Sequence, residues 1–496
     1  MGANKYILAI DQGTSSTKSL VFDDKGQAVA RGTENLHTQY LADGFVEQEP
    51  ESIYQNVLSS AQKCLQQFSG KGLNKADVVA IGISNQRETF MLWDKTGKPL
   101  YNAVVWQCKR SVQICEQMKQ KGLSQTVSHK TGLVIDPYFS ATKLIWLVNS
   151  NPAIKTAVQK GEAYFGTVDT WLLYKFTSGK EYATDYTNAS RTMLFNINNL
   201  AWDADLIDEF GLTGINLPQV KSSSEHFGET TLDGLLEKSI PINSLIGDSH
   251  AAAFGEGCFE PGMAKATLGT GCSILMNIGQ QPVQSKNGMV TTICWSAGKR
   301  VDYALEGVIV SCGATIEWLK NELNLFSDSK ETVDMANAVT DNGGVYLIPA
   351  FSGLGSPYWD MERKASLAGI SFGTNKNHIV RAALESISYQ VKDVIVAMEK
   401  DAGVSLKELS ADGGITANGF VIKFLTDLLN KNVATIGMAD VSALGAAYLA
   451  GLQAGVYENI DSLRQLNTEK KCFQPDGMSK TAHIGYEGWK KEIAKK

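Results

Sequence analysis

The sequence is poor in the residues that build zinc sites and disulfide scaffolds. Its six histidines are scattered along 496 residues, and none of its eight cysteines forms a CxxC pair. The ligand spacing of a structural zinc site is therefore missing. An even number of cysteines carries little meaning in so long a chain, and we interpret them as mostly reduced core residues of a cytoplasmic enzyme.

Long apolar runs and an excess of positive charge are also missing. The apolar runs fall far short of the roughly 20 residues that a membrane helix needs, so we expect no membrane span. The N-terminus has one lysine and a short apolar run that ends at Asp11, which does not fit a signal peptide. The formal net charge of −6 argues against a nucleic-acid partner but allows a phosphorylated ligand in a local basic pocket.

Two familiar nucleotide-binding motifs are absent from the sequence. It has neither GxxxxGKS nor GxxxxGKT, which excludes a Walker-type NTPase, and no GxGxxG that opens a helix after a strand, which argues against a dinucleotide fold. It has instead three glycine turns at strand ends, at residues 11–14, 269–271 and 412–414. We predict two hairpins and one strand-to-helix turn able to cup a purine. Two similar halves with a nucleotide between them is the economical interpretation.

The first of these turns has the composition of a phosphate site. The apolar residues 7–10 and the mostly apolar residues 19–22 predict two paired strands, and the glycine between them lets backbone amides approach an anion. Hydroxyl and ammonium donors of the kind that a phosphate needs are supplied by Thr14, Ser15, Ser16 and Lys18. Asp11 is an oxygen ligand fit for Mg²⁺. A plain polar hairpin turn is an equal alternative on this stretch alone.

The length of the chain predicts more than one domain. We place the boundary after the small-residue segment that follows Asp248, which gives an N-terminal domain over residues 1–252 and a C-terminal domain over 253–496. Asp248 stands between a predicted strand at 242–246 and a helix, where a carboxylate is well placed to abstract a proton. A lone aspartate at this position is more often a helix N-cap.

Other polar segments leave their role open. Residues 85–88 join two predicted strands and suit either a ligand-facing edge or an exposed loop, and Trp106 is placed to wall a small pocket. Polar residues within 184–195 fit hydrogen-bonded turns as well as a ligand role. Gly307 and Gly313 indicate the entry to a helix near a cleft.

Many segments together resemble one enzyme family over nearly the full length of the chain. The sequence resembles the FGGY carbohydrate kinases, and within them the glycerol kinases. Two stretches resemble the family signatures: YFSATKLIWL and GISFGTNKNHIVRAALE. Further matching segments follow in the same order and include NQRET, VVWQC, FGTVDTW, YALEG, PAFSGLG and LGAAYLAGL.

The resemblance implies an α/β protein of two actin-like, ribonuclease-H-like ATPase domains with a central nucleotide cleft. The N-terminal domain would bind the polyol or sugar, and the C-terminal domain the nucleotide. The implied reaction is transfer of the γ-phosphoryl group of ATP, with Mg²⁺, to a terminal hydroxyl of glycerol. The family also implies a homodimer or homotetramer.

The resemblance further implies a role for each matching residue. Asp248 would be the general base, and Asp11 would hold Mg²⁺ directly or through water. The polyol would be bound by Arg87, Glu88 and Tyr138, with Trp106 as an apolar wall. Phosphates would be bound by Thr14, Ser15, Lys18 and Thr270. The nucleoside would be cradled by Gly313, Gly414 and Asn418.

Four positions depart from the family pattern. Ser249 replaces a glutamine and Ser273 a phenylalanine, so the acceptor pocket should widen unless another group fills it. Lys18 replaces an arginine, which keeps the charge and loses the two-point fork. Glu317 replaces a glutamine near the nucleotide. Because of these two serines, the alternative substrate is a larger one, a four- or five-carbon polyol or ketose such as erythritol, xylitol or xylulose. An actin- or chaperone-type ATPase, which shares the fold, is the rival from another class.

Overall fold

The computed structural model describes residues 5–438, 440–466, 470–476 and 479–495. The strands of the first part of the chain are β1 (Tyr6–Gln12), β2 (Ser16–Phe22), β3 (Ala28–Asn35), β4 (Gln39–Tyr40), β5 (Val46–Gln48), β6 (Val78–Asn85), β7 (Phe90–Trp93), β8 (Ala103–Val104), β9 (Tyr164–Thr167), β10 (Ala183–Asp185), β11 (Phe195–Asn196), β12 (Ala201–Trp202), β13 (Gln219–Lys221), β14 (Ser224–Thr230) and β15 (Ile240–Gly247). The helices of this part are α1 (Pro50–Gly70), α2 (Val112–Gln120), α3 (Ser124–Thr131), α4 (Ser140–Ser150), α5 (Pro152–Gln159), α6 (Val168–Phe176), α7 (Tyr186–Ala189), α8 (Ala204–Glu209) and α9 (Asp248–Gly255).

The second part of the chain continues the same alternation. Its strands are β16 (Met263–Leu268), β17 (Cys272–Gly279), β18 (Val290–Ala297), β19 (Arg300–Ile309), β20 (Tyr346–Ile348), β21 (Ser366–Ala368), β22 (Glu408–Asp412), β23 (Asn432–Ile436) and β24 (Lys470–Phe473). Its helices are α10 (Gly313–Asn321), α11 (Glu331–Asn337), α12 (Lys376–Ala402), α13 (Gly419–Leu429), α14 (Val441–Gln453), α15 (Ile460–Arg464) and α16 (Ser479–Ile493). Short 3₁₀ turns lie at Ala42–Gly44, Lys75–Asp77 and Gly414–Ala417.

One sheet of 13 strands runs through both parts in the order β24-β23-β22-β16-β17-β19-β18-β14-β15-β6-β1-β2-β3. Each part opens with an antiparallel hairpin, β1 with β2 and β16 with β17, as the two glycine turns predicted. Each hairpin also has a parallel neighbour, β6 beside β1 and β22 beside β16. The parts meet where β14 and β18 share the pair Ser224 and Ala297. The first glycine turn therefore follows β1 in the first part, and the second and third follow the neighbouring strands β16 and β22 in the second part.

Local sequence patterns explain the positions of three helices. The four-residue spacing of Ile53, Val57, Ala61 and Leu65 predicts one apolar helix face, and all four residues are buried in α1. The apolar spacing of residues 378–400 predicts a long amphipathic helix that Gly403 ends. Helix α12 covers this span, and Gly403 has φ 64°, the left-handed cap conformation that glycine favours. The third glycine turn joins β22 to α13 as predicted, with Gly413 at φ 91°.

Helix α14 belongs to the second part of the chain but packs on α9 and on strands of the first part. The approach is close because glycines lie at the contacts. A Cβ added at Gly445 would lie 1.9 Å from the carbonyl oxygen of Ala251. One added at Gly82 of β6 would lie 2.3 Å from the carbonyl oxygen of Ala446. The many small residues of 442–452 predict such close packing from the sequence, and the structure confirms it.

The structure bears on four further predictions. The helix entry predicted at residues 307–313 is wrong for Gly307, which lies inside strand β19; helix α10 begins only at Gly313. The proposed boundary between residues 252 and 253 falls inside α9. Seven of the eight cysteines are buried and all eight are free thiols. Across the ranges that the structure describes, every helix is too short or too polar to cross a bilayer.

Candidate active site

A cavity of about 390 Å³ lies between the two halves, at the ends of β1, β6, β15, β16 and β22. Ten of the residues singled out from the sequence line it: Asp11, Thr14, Lys18, Arg87, Glu88, Trp106, Tyr138, Asp248, Ser249 and Ser273. They come from segments that are far apart in sequence. Their convergence on one cavity favours the ligand-facing interpretation of residues 85–88 over an exposed loop, since Arg87 and Glu88 are both buried.

The first glycine turn forms one wall of the cavity. Ser84 donates a hydrogen bond of 2.7 Å to Asp11 Oδ1, and the indole of Trp106 donates one of 2.9 Å to Thr14 Oγ1. Burial, partly opposed by the Ser84 bond and assisted by the nearby Asp248 carboxylate, raises the pKa of Asp11 to about 6. Lys18 Nζ lies 3.1 Å from Oδ1 of the buried Asp440, which α14 brings from the second half.

Arg87 and Glu88 form the opposite wall. Glu88 has φ 60°, an unfavourable conformation for a residue with a side chain, and Ser140 donates to its carbonyl oxygen at 2.9 Å. Arg87 Nη1 is buried and has no hydrogen-bond partner among the described residues. Buried guanidinium donors are normally satisfied, so this atom is available to a ligand oxygen. Tyr138 closes the wall by packing edge-on against Trp106 with ring centroids 5.5 Å apart.

The loop that carries Tyr138 is tied down by a buried lysine. Lys143 Nζ donates to the carbonyl oxygens of Pro137, Tyr138 and Phe139 at 2.6, 2.7 and 3.0 Å. Burial lowers the pKa of Lys143 to about 8, partly opposed by Glu88. The apolar spacing of this segment predicts helix α4 but gives no sign that one of its buried positions is a lysine that bonds backwards to the preceding turn.

Asp248 is the first residue of α9, directly after strand β15. Its side chain is 39% exposed towards the cavity, and Arg87 Nε lies 3.3 Å from its Oδ1. The backbone N–H of Gly247 donates to Thr187 Oγ1 at 2.9 Å, which fixes the strand end from behind. The carboxylate therefore faces the cavity, where a bound acceptor hydroxyl can reach it.

The two serines that depart from the family pattern face each other. Ser249 Oγ lies 3.2 Å from Ser273 Oγ, and Ser273 donates to Glu306 Oε1, also at 3.2 Å. Their hydroxyls thus line the cavity as a polar edge that ends at a buried carboxylate. Both side chains are partly exposed to the cavity, so these hydroxyls can reach a ligand.

Seven predicted nucleotide residues do not line this cavity: Ser15, Ser16, Thr270, Gly313, Glu317, Gly414 and Asn418. Thr270, Gly313 and Gly414 lie close together beside the cavity. The backbone N–H of Gly313 donates to Gly269 O at 2.9 Å within the second glycine turn, and a Cβ added at Gly313 would touch Ile415, next to Gly414. Asn418 instead caps α13 and donates to Thr332 Oγ1 at 2.9 Å. The nucleoside roles of these residues remain predictions.

Sequence reasoning missed two charged residues, Arg191 and Glu306, which contact the wall of the cavity that Arg87 and Glu88 form. Arg191 Nε lies 2.5 Å from Glu88 Oε1, and Arg87 Nη2 lies 2.9 Å from Glu306 Oε1. Burial raises the pKa of Glu306, but Arg191 and Arg87 together hold it well below its usual range. The only available signal was the position of Glu306 in a family segment, YALEG, and of Arg191 among polar residues that fitted a turn.

A second pair of carboxyls lies behind the third glycine turn. Glu256 is fully buried at the end of α9. Burial, and then the neighbouring Asp412, raise its pKa well above the usual value, against the opposing charges of Lys265 and Lys470. A side-chain contact between Glu256 and Asp412 contributes to the same rise. The buried Glu256 carboxyl therefore favours its protonated form over a wider pH range than an exposed glutamate does.

This pair predicts a stability that depends on pH. A raised pKa in the folded state gives stability at low pH that is lost as pH rises through that pKa. The Glu256→Gln variant removes the titrating group and supplies an amide donor to Asp412. We expect its melting temperature, relative to wild type, to be higher at pH 9 than at pH 5 by about 2 °C or more. Glu209→Gln, on exposed helix α8, is the control; equal differences at both pH values for Glu256→Gln would contradict the prediction.

Comparison with known proteins places this site in a family. The sequence models of the FGGY family of carbohydrate kinases match residues 6–255 with the N-terminal domain and 264–454 with the C-terminal domain. The chain is 44% identical to a glycerol kinase of Carboxydothermus hydrogenoformans over 99% of this chain and 98% of that one. It is 45% identical to a glycerol kinase of Fusobacterium nucleatum, with the same coverage.

Solved structures agree with these matches. A Plasmodium falciparum glycerol kinase with ADP superposes with a TM-score of 0.93 at 35% identity, over 99% of this chain and 98% of that chain. A xylulose kinase of Lactobacillus acidophilus, at 21% identity and a TM-score of 0.88 over 99% and 98%, shares the fold. The predicted α/β class with two actin-like domains is confirmed. The chain belongs to the FGGY family of carbohydrate kinases.

Proposed function

We propose that this protein transfers the γ-phosphoryl group of ATP to a terminal hydroxyl of glycerol, giving glycerol 3-phosphate and ADP. The observation that carries the proposal is the convergence of Arg87, Glu88, Tyr138 and Asp248 on one cavity beside the first glycine turn. Full-length relatives named glycerol kinase support it. A small, buried, charged wall suits a small polyol rather than a polymer.

In the proposed reaction Asp248 accepts the proton of the attacking hydroxyl. The acceptor oxygen forms a bond to the γ-phosphorus, the bond to the β-bridging oxygen breaks, and ADP leaves. Arg87 would donate its unpartnered Nη1–H to an acceptor hydroxyl, and Glu88 would accept from another. Phosphoryl transfer depends on positioning and on neutralising charge more than on covalent chemistry, and this cavity offers both.

The residues at the first turn fit a nucleotide with Mg²⁺. The Asp11 carboxylate faces the cavity, and such oxygens are the ligands that Mg²⁺ uses, directly or through water. The metal would neutralise charge on the transferred phosphoryl group. Thr14 and Lys18 would bind phosphate oxygens, and Lys18 would then turn from Asp440 towards the phosphate. The nucleoside would lie along the second and third turns, near Gly313.

A longer acceptor is the second candidate. The observation that favours it is the polar edge of Ser249 and Ser273, whose hydroxyls line the cavity 3.2 Å apart. Hydroxyls at this edge would pair with those of a four- or five-carbon polyol or ketose. A site built for such pairs discriminates against acceptors that leave its polar groups unpaired.

One acceptor panel tests both candidates. ADP release with Mg-ATP would be measured for glycerol, erythritol, threitol, xylitol, ribitol, D-arabitol, xylulose and ribulose. We expect glycerol to lead in kcat/KM by about a hundredfold, that is by roughly 3 kcal/mol. A longer acceptor in the lead would make the serine edge the specificity element. ATP turnover that ignores every added acceptor would contradict both and favour an actin- or chaperone-type ATPase.

We also propose a homodimer or homotetramer, which the family resemblance implies. Light scattering after size-exclusion chromatography measures the mass directly, against 53.8 kDa for one chain.

A further inference from the structure

Glu306 belongs to the second part of the chain and contacts Arg87, which lies in the cavity wall contributed by the first part. It lies in β19, whereas Arg87 follows β6 and Arg191 follows α7. One of its carboxylate oxygens contacts Arg87 Nη2 and the other pairs with Arg191 Nη1. All three side chains are at most 6% exposed. A single carboxylate thus holds two buried guanidinium groups at the edge of the cavity.

The charges in this cluster are shared unequally. Arg191 has a second partner, because Glu88 Oε1 lies 2.5 Å from its Nε. Among the described residues, Arg87 has one short carboxylate partner, Glu306, and its next carboxylate is Asp248, with Nε 3.3 Å from Oδ1. A buried guanidinium that loses its counter-ion pays a large desolvation cost, so it moves to the nearest remaining carboxylate. For Arg87 that carboxylate is Asp248.

We propose that Glu306 is a positioning residue for phosphoryl transfer. By holding Arg87 at Nη2, it prevents the guanidinium from forming a two-point pair with Asp248. Arginine and carboxylate form such pairs readily, and the pair would occupy the oxygens with which Asp248 accepts the acceptor proton. It would also turn Nη1 away from the acceptor hydroxyl. Glu306 therefore leaves the Asp248 carboxylate free to act as the base and keeps Arg87 Nη1 directed towards the acceptor hydroxyl.

The Ser273 hydroxyl supports this arrangement. It donates to the same Glu306 oxygen that Arg87 contacts. Two donors on one oxygen restrict the carboxylate to a single orientation, and the second oxygen is restricted by Arg191. Glu306 thus connects the polar edge of Ser249 and Ser273 with Arg87 and Arg191 in one hydrogen-bonded network.

The kinetic test rests on the proposed function and uses the Glu306→Gln variant. We expect kcat to fall by about tenfold or more and the KM for glycerol to rise by about tenfold or more, while the KM for ATP stays within about twofold. The matched control is Glu385→Gln, which removes another buried charge that pairs with an arginine, Arg381, and does not line the cavity. It should leave all three constants within about twofold. Unchanged glycerol kinetics in a folded Glu306→Gln protein would overturn the proposal.

A crystal structure of Glu306→Gln tests the positioning step without any activity. Arg87 should form two short contacts to Asp248, and an unmoved Arg87 would overturn the proposal. Wild-type protein without acceptor-dependent ADP release would contradict the proposed function, and the crystal structure would still decide the position of Arg87.

If Glu306→Gln does not fold, Glu306→Asp keeps the charge on a shorter arm, and we expect the same two kinetic changes at a smaller size. Wild-type kinetics in that variant would count against Glu306.

Discussion

The Asp248→Asn variant should lose acceptor phosphorylation by about a thousandfold or more in kcat, a range consistent with general base catalysis together with the loss of a charge beside the reacting atoms. Asparagine keeps the shape of the side chain but cannot accept a proton at this position. Its partner Arg87 would keep Glu306 as a counter-ion. The loss should therefore be catalytic rather than structural.

Two further measurements make this result specific. The affinity for ADP, measured by calorimetry, should stay within about threefold of wild type, because Asp248 lies on the acceptor side of the cavity. The control is Asp461→Asn, the same change at an exposed position of α15, which should keep full activity. Retained acceptor phosphorylation in Asp248→Asn would show that another group is the base.

The Gly445→Ala variant should destabilise the protein by about 3 kcal/mol, the upper part of the usual range for overpacking. The added methyl group would lie 1.9 Å from the Ala251 carbonyl oxygen and 3.0 Å from the Gly255 backbone nitrogen. These are backbone atoms of α9, which cannot rotate away as a side chain would. The two helices must separate, and α9 carries Asp248 at its start, so activity should fall as well.

Thermal unfolding followed by circular dichroism measures this effect. The control is Gly70→Ala, at the end of helix α1, where an added Cβ meets no atom within 4 Å. Alanine is the better helix former, so this variant should be neutral or slightly more stable. Equal melting temperatures for Gly445→Ala and wild type would mean that the α9–α14 contact tolerates expansion.

The sequence patterns predicted those parts of the fold whose signal is local. The two glycine hairpins, the buried face of α1 and the long helix α12 each depend on neighbouring residues, and each was found where its spacing placed it. The exception is Gly307, which indicated a helix entry but lies in a strand, since β19 is held by β17 and β18 rather than by its own propensity.

The candidate site divides in the same way. The resemblance to the family supplied Arg87, Glu88 and Asp248, which share the cavity. Arg191 and Glu306 were missed because their contacts join residues 103 and 219 positions apart, and no periodicity reports such a pair. The hydrogen bond from Lys143 to its preceding turn is close in sequence, yet a lysine on an apolar helix face resembles a solvated residue until its burial is known.

The packing of α14 on the first half has a consequence for how the protein is made. Strands β1, β6 and β15 leave the ribosome early, but the helix that covers one face of them begins only at residue 441. Until then Ile7, Ala9, Ala80 and Ile246 lack their partners Ala443, Ala446 and Ala450. The nascent chain must therefore carry an uncovered apolar face through nearly all of its synthesis, and a ribosome stalled shortly before α14 would display a surface for chaperones rather than a finished domain.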